Sequence, residues 1–135
     1  MSYAIDLAKA ARRHLEAAQL LDRDSPQGRR DVAGYLYGVA AECALKQLMR
    51  ASGMLPQADK RGDPFFLHFP ELKTALRVSA AGRLQSRLLR YANDNRLMRE
   101  WDVKMRYAPS WDVLAMPLDE WAEQARRLTA DMEAL

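Results

Sequence analysis

The chain has 135 residues, 49% of them hydrophobic and 29% charged, which suits one globular domain, residues 1–135, and argues against intrinsic disorder. No apolar run approaches the roughly 18 residues of a membrane span, and Asp6, Lys9, Arg12 and Arg13 interrupt the N-terminus, so neither a membrane protein nor a signal peptide is expected and a cytoplasmic location is. Cys43 is the single cysteine and His14 and His68 are the only histidines, which leaves no cysteine cluster and makes a metal site improbable; no cofactor is expected. The net charge of +3 is unevenly placed. Between Arg77 and Arg106 stand Arg77, Arg83, Arg87, Arg90, Arg96, Arg99, Lys104 and Arg106 against Asp94, Glu100 and Asp102. Sixteen of the 21 basic residues are arginine, the side chain suited to bidentate phosphate contacts, so this stretch is either a solvated helical surface or the footprint of an anionic partner.

The first predicted helix runs from a cap at Ser2 to about Leu21, with Ile5, Ala8, Ala11, Leu15, Ala18 and Leu21 at steps of three and four. Asp24-Ser25-Pro26-Gln27-Gly28 turns the chain into a second helix, about Arg29 to Ala51. A connection this short makes the two helices antiparallel neighbours. The second helix is apolar or small around much of its circumference, which makes it the central element. Gly34 and Gly38 each cost about 1 kcal/mol of helix propensity relative to alanine, so close packing or a dimer contact has to offset them. Gly53 ends this helix, and a long loop carries Pro56, Gly62 and Pro64 to the aromatic run Phe65-Phe66-Leu67-His68-Phe69, which should tuck against the bundle.

Pro70 opens a third helix over Glu71 to about Ser79. After Gly82, a fourth over Arg83 to Ala92 sets Leu84, Leu88 and Tyr91 beside a stripe of Arg83, Arg87 and Arg90. Asn93-Asp94-Asn95 breaks the chain, Arg96 to Asp102 suits another helical turn or two, and Val103 to Met116 reads as extended or irregular around Pro109. Pro117 starts a last helix with Leu118, Trp121, Ala125, Leu128 and Met132 on one stripe. No strand pattern competes, so the expected fold is all-α, an antiparallel up-and-down bundle of four to five helices.

Tyr35-Leu36-Tyr37-Gly38-Val39-Ala40-Ala41-Glu42-Cys43-Ala44-Leu45-Lys46 resembles the central helix of the HEPN superfamily. Ala10 through Ala18 resembles its usual opening, His68-Phe69-Pro70-Glu71-Leu72-Lys73 its His-x-x-x-Leu entry to the third helix, and Trp101 through Arg106-Tyr107 the Trp…Arg-Tyr signature of one bacterial branch. The resemblance covers most of the chain on short motifs. It implies a small helical homodimer acting on RNA or nucleotides, often in toxin–antitoxin or defence settings and often beside a nucleotidyltransferase partner. RNase members use an Arg-x(4–6)-His motif without metal: imidazole moves protons and guanidinium stabilises phosphoryl charge. This chain has no histidine after His68, so that motif is missing from its usual late position; Arg61 and His68 satisfy the spacing only formally, ahead of the third helix.

The expectation is therefore a HEPN-like homodimer that binds RNA or a nucleotide through a basic groove. Its contacts would be Arg83, Arg87, Arg90, Arg106 and Tyr107. Alternatives are a non-catalytic module docking a nucleotidyltransferase, and a metal-independent endoribonuclease toxin using Arg61 and His68, or His14 in place of His68. Glu42 is expected either to pair with Lys46 at i,i+4 or to join a polar network with Arg106 or Tyr107, because a buried carboxylate needs a partner. Trp101 and Trp111 either stack bases beside Arg106 or anchor an irregular segment to the core. His14 is expected on the surface or in a groove.

Overall fold

Asp6 adopts extended backbone angles and its side chain accepts from the Lys9 amide at 3.0 Å, which caps α1, Leu7–Leu21. The helix thus starts five residues after Ser2, and Ser2 itself lies outside the residues described in this computed structural model, which are 3–57 and 62–135. The second helix, α2, runs Arg30–Ala51 and buries residues all round its axis. It ends at Gly53, whose φ of 97° suits glycine and lets the amides of Gly53 and Met54 close on the carbonyls of Arg50 and Met49 at 2.9 and 3.1 Å. The segment before α3 makes a short 3₁₀ turn at Pro64–Phe66, capped by Asp63. Phe69 is buried and Phe65 half-buried, as expected of the aromatic run, whereas Phe66 is exposed.

The third helix, α3, occupies Glu71–Ser79 as the sequence predicts. The fourth, α4, begins at Gln85 and ends at Ala92, two residues later than predicted, because Ser52 intercepts the preceding amides. Its carbonyl accepts from Arg83 N at 3.2 Å and its hydroxyl from Leu84 N at 2.8 Å. Residues 95–100 form successive turns and not the expected helical turn. Side chains from two helices take their backbone groups: Lys73 donates to Leu97 O at 3.0 Å and also to Asp94 O, Gln124 bridges Met98 N and Arg96 O at 2.8 Å each, and the Trp121 indole donates to Arg99 O at 3.0 Å. With those partners fixed, Met98 and Glu100 sit at φ of 51° and 70°. The region read as extended is helical instead: a 3₁₀ turn at Val103–Tyr107, capped by Asp102, and a short α5, Ser110–Leu114. The last helix, α6, spans Leu118–Glu133 and buries the predicted stripe.

The described residues form an all-α bundle of six α-helices. Arg30 donates to Asp22 and Asp119 at 2.7 Å each, and Tyr37 reaches the other Asp22 oxygen at 2.7 Å, which ties the end of α1 to the starts of α2 and α6. Arg12 pairs with Glu133 at the other end of α6. Therefore α1 runs antiparallel to both α2 and α6, and α3 to α5 return the chain to the end of the bundle where α2 begins. Gly34 and Gly38 are used inside this packing: an added Cβ would meet Leu118 and Trp121 at Gly34, and Trp101 at Gly38. Among the described residues no helix is long and apolar enough to cross a membrane.

Candidate functional site

Trp101 fixes the geometry of the segment that follows it. Its buried ring lies over Gly38, donates to Gly34 O at 3.2 Å, stacks on Tyr35 at 5.6 Å and 13°, and meets Phe69 edge-on at 6.4 Å. Asp102 then caps the 3₁₀ turn through the Lys104 amide at 2.8 Å, and the turn carries Arg106 back across α2. The Arg106 guanidinium carbon stands 5.9 Å from the Tyr35 ring centroid and 5.4 Å from that of Tyr107, within the range of cation–π attraction. Among the described residues Arg106 has no carboxylate partner.

Tyr35 and Arg106 line a cleft of about 370 Å3 together with Arg29, Asp31 and Ser110. Asp31 accepts from Arg29 at 2.7 and 3.1 Å, from the Ser110 hydroxyl at 2.6 Å and from its neighbour Val32 N at 3.0 Å. The Arg29 and Ser110 hydrogen bonds hold the Asp31 carboxyl well below the usual carboxylate range, with burial opposing them. Asp31 therefore stays ionised and committed to Arg29, which leaves Arg106 as the uncompensated charge of the cleft. Tyr107 is 81% exposed and Trp111, one turn further on, 71%.

A second polar group lies deeper on α2. Glu42, only 8% exposed, accepts from Lys46 Nζ at 2.9 Å and meets His68 Nδ1 at 2.8 Å. The predicted i,i+4 pair with Lys46 is present. The second partner is His68 and not Arg106 or Tyr107, because Arg106 is drawn to Tyr35, nearly two turns nearer the helix start. The His68 side chain is 53% exposed, so one ring nitrogen is held by a buried carboxylate while the imidazole edge faces solvent. Arg61, its proposed companion, lies outside the described residues.

No protein-family model, curated protein or solved structure matches this chain. Among the described residues there is no group of three or more His, Cys, Asp and Glu side chains arranged to hold a metal ion.

The other predicted residues separate from these sites. Arg83 donates to Ala51 O at 3.1 Å, at the last residue of α2, whereas Arg106 covers Tyr35, sixteen positions earlier and about 24 Å away along the axis. Arg87 and Arg90 line a different cleft, of about 470 Å3, with Tyr91, Asp94 and Asp131. The structure thus divides the expected basic groove into two regions. Trp101 belongs to the core and cannot stack a ligand base, while Trp111 remains available. His14 turns Nδ1 to the Ala10 carbonyl at 2.7 Å on its own helix. The Cys43 thiol, raised to about 11 chiefly by burial, is a packing group. Tyr35, Arg29, Asp31 and Ser110 were not singled out by sequence reasoning. Arg29, Asp31 and Tyr35 are more than 70 residues of chain away from Arg106 and Ser110, and only the small residues beneath Trp101 hinted at a close crossing there.

Proposed function

We propose that this chain is a HEPN-like domain that binds RNA or a nucleotide at the Arg106–Tyr107 cleft. The observation that supports this reading is the unpaired Arg106 guanidinium held between Tyr35 and the exposed ring of Tyr107. A guanidinium whose faces rest on rings keeps its N–H edge free for phosphate oxygens, and an open aromatic face beside it suits an unpaired base. The test is fluorescence anisotropy of a labelled oligouridylate across a salt series. Binding should weaken with salt by a log–log slope of about −0.7 per phosphate contacted. Arg106→Ala should remove it, and Arg87→Glu, in the separate α4 cleft, should have the smaller effect. Salt-insensitive binding, or binding untouched by Arg106→Ala, rejects the reading.

One observation favours a second reading, metal-independent RNA cleavage. A histidine fixed through Nδ1 by a buried carboxylate, with its edge open to solvent, has the arrangement of an oriented general base. Cleavage of the same oligonucleotide in EDTA that disappears in His68→Ala supports this reading; equal rates in the two proteins reject it.

A further inference from the structure

We infer that the Arg106 cleft recognises a dinucleotide step of single-stranded RNA: the phosphate on Arg106, one flanking base on Tyr107 and the other on Trp111. This rests on the binding reading above and narrows its ligand. Three observations carry it. The first is the number of open rings. Of the five rings Tyr35, Phe69, Trp101, Tyr107 and Trp111, Phe69 and Trp101 are buried and Tyr35 is covered by Trp101 and Arg106. Only Tyr107 and Trp111 offer faces to solvent, at 81% and 71% exposure. Rings this exposed do not pack against the core and keep a face open to a ligand.

The second is charge. Around the cleft Arg29 is neutralised by Asp31, and Arg30 by Asp22 and Asp119. That leaves Arg106 uncompensated among the lining residues. One free guanidinium matches one bridging phosphodiester better than the chain of phosphates along a duplex edge. The third is the placement of the rings in sequence. Tyr107 ends the 3₁₀ turn and Trp111 lies in the first turn of α5, separated by Ala108-Pro109-Ser110. The extended backbone at Ala108 and Pro109, with ψ of 153° and 151°, sets the two rings on consecutive elements, each next in sequence to a residue that lines the cleft, Arg106 or Ser110. A paired base hides its faces within the helical stack, so two exposed rings select unpaired nucleotides.

The experiment compares UMP, the dinucleotide UpU and a 12-base-pair RNA duplex by titration against wild type, Trp111→Ala, Trp111→Phe and Arg106→Ala. UpU should bind wild type about fivefold or more tightly than UMP, one base–ring contact being worth at least that factor. Trp111→Ala should bring UpU down to the affinity of UMP, Trp111→Phe should restore most of the difference, and Arg106→Ala should weaken both ligands. Trp111 is the exposed tryptophan, Trp101 and Trp121 being buried, so UpU should quench a part of the emission that Trp111→Ala lacks. Equal affinities for UMP and UpU with a silent Trp111→Ala overturn the dinucleotide site while leaving nucleotide binding intact. Duplex binding as tight as UpU also overturns it. Absence of any binding removes the broader reading together with this one.

Discussion

Replacing Gly38 by alanine tests the packing on which the cleft depends. An added Cβ at Gly38 would lie 2.0 Å from both Cε2 and Nε1 of Trp101, where carbon contacts normally settle at about 3.5–4.0 Å. The indole would have to retreat by about 1.5 Å. Three contacts oppose that movement: the stack on Tyr35 at 5.6 Å, the edge of Phe69 at 6.4 Å and the hydrogen bond to Gly34 O at 3.2 Å. Alanine gains about 1 kcal/mol of helix propensity. Against this stand overpacking of about 1–3 kcal/mol and about 1–3 kcal/mol for an indole N–H left buried without its acceptor. The expected net loss is about 1–5 kcal/mol, which lowers a urea midpoint by about 0.5–2.5 M at a slope of about 2 kcal/mol/M. Gly34→Ala is the control, because its nearest neighbour at 2.6 Å is a terminal methyl of Leu118, which can rotate away; its cost should stay near 1 kcal/mol or below. Trp101→Ala removes the ring that clashes, so the double variant Gly38→Ala/Trp101→Ala should lose less than the sum of the two single changes. A Gly38→Ala protein as stable as wild type, or less damaged than Gly34→Ala, refutes the argument.

Two further perturbations probe the charged groups. Glu42→Gln leaves Lys46, whose side chain is 7% exposed, as a buried charge without its counter-ion, and should cost about 3 kcal/mol in chemical denaturation; adding Lys46→Met should recover much of that loss, and His68→Ala, at a half-exposed ring, should cost under about 1 kcal/mol. Asp31 ionises in the folded chain well below its usual range, so the unfolded chain binds more protons in acid and stability rises with pH there. Its contribution is present above about pH 4 and is lost below it, and Asp31→Asn should flatten that part of a stability-against-pH curve; an unchanged curve counts against the Arg29–Asp31–Ser110 arrangement.

The long helices were legible in the sequence because each repeats its apolar residues with the helical period. The stripe Leu118, Trp121, Ala125, Leu128 and Met132 and the all-round apolar face of α2 each required a core on the side where one formed. Boundaries shifted wherever a side chain from elsewhere took a backbone group: Ser52 delays α4, and Lys73, Gln124 and Trp121 hold 95–100 out of the helix. Local periodicity carries no record of a partner twenty or thirty residues away. The candidate site shows the same division. The i,i+4 pair of Glu42 and Lys46 is local and was legible, but its union with His68 crosses 26 positions. The arginines of α4 and Arg106, grouped by their nearness in sequence, lie apart because the chain crosses α2 between them.

What joins fold and cleft is Trp101. The glycines of α2 suit a helix interior poorly on propensity, and they make sense only as the seat for this ring. Once seated, the ring fixes Tyr35 from below, and Tyr35 in turn offers its other face to Arg106. A guanidinium on a free surface loop would lose rotamer freedom on meeting a phosphate, at about 0.5–1.5 kcal/mol for such a side chain. Between two rings, one of them anchored through the core, much of that ordering is already complete before a ligand arrives. The same packing that carries α2's propensity penalty therefore leaves the one uncompensated cation of the cleft oriented, so changes at Gly38 or Trp101 should be felt at Arg106 without touching it.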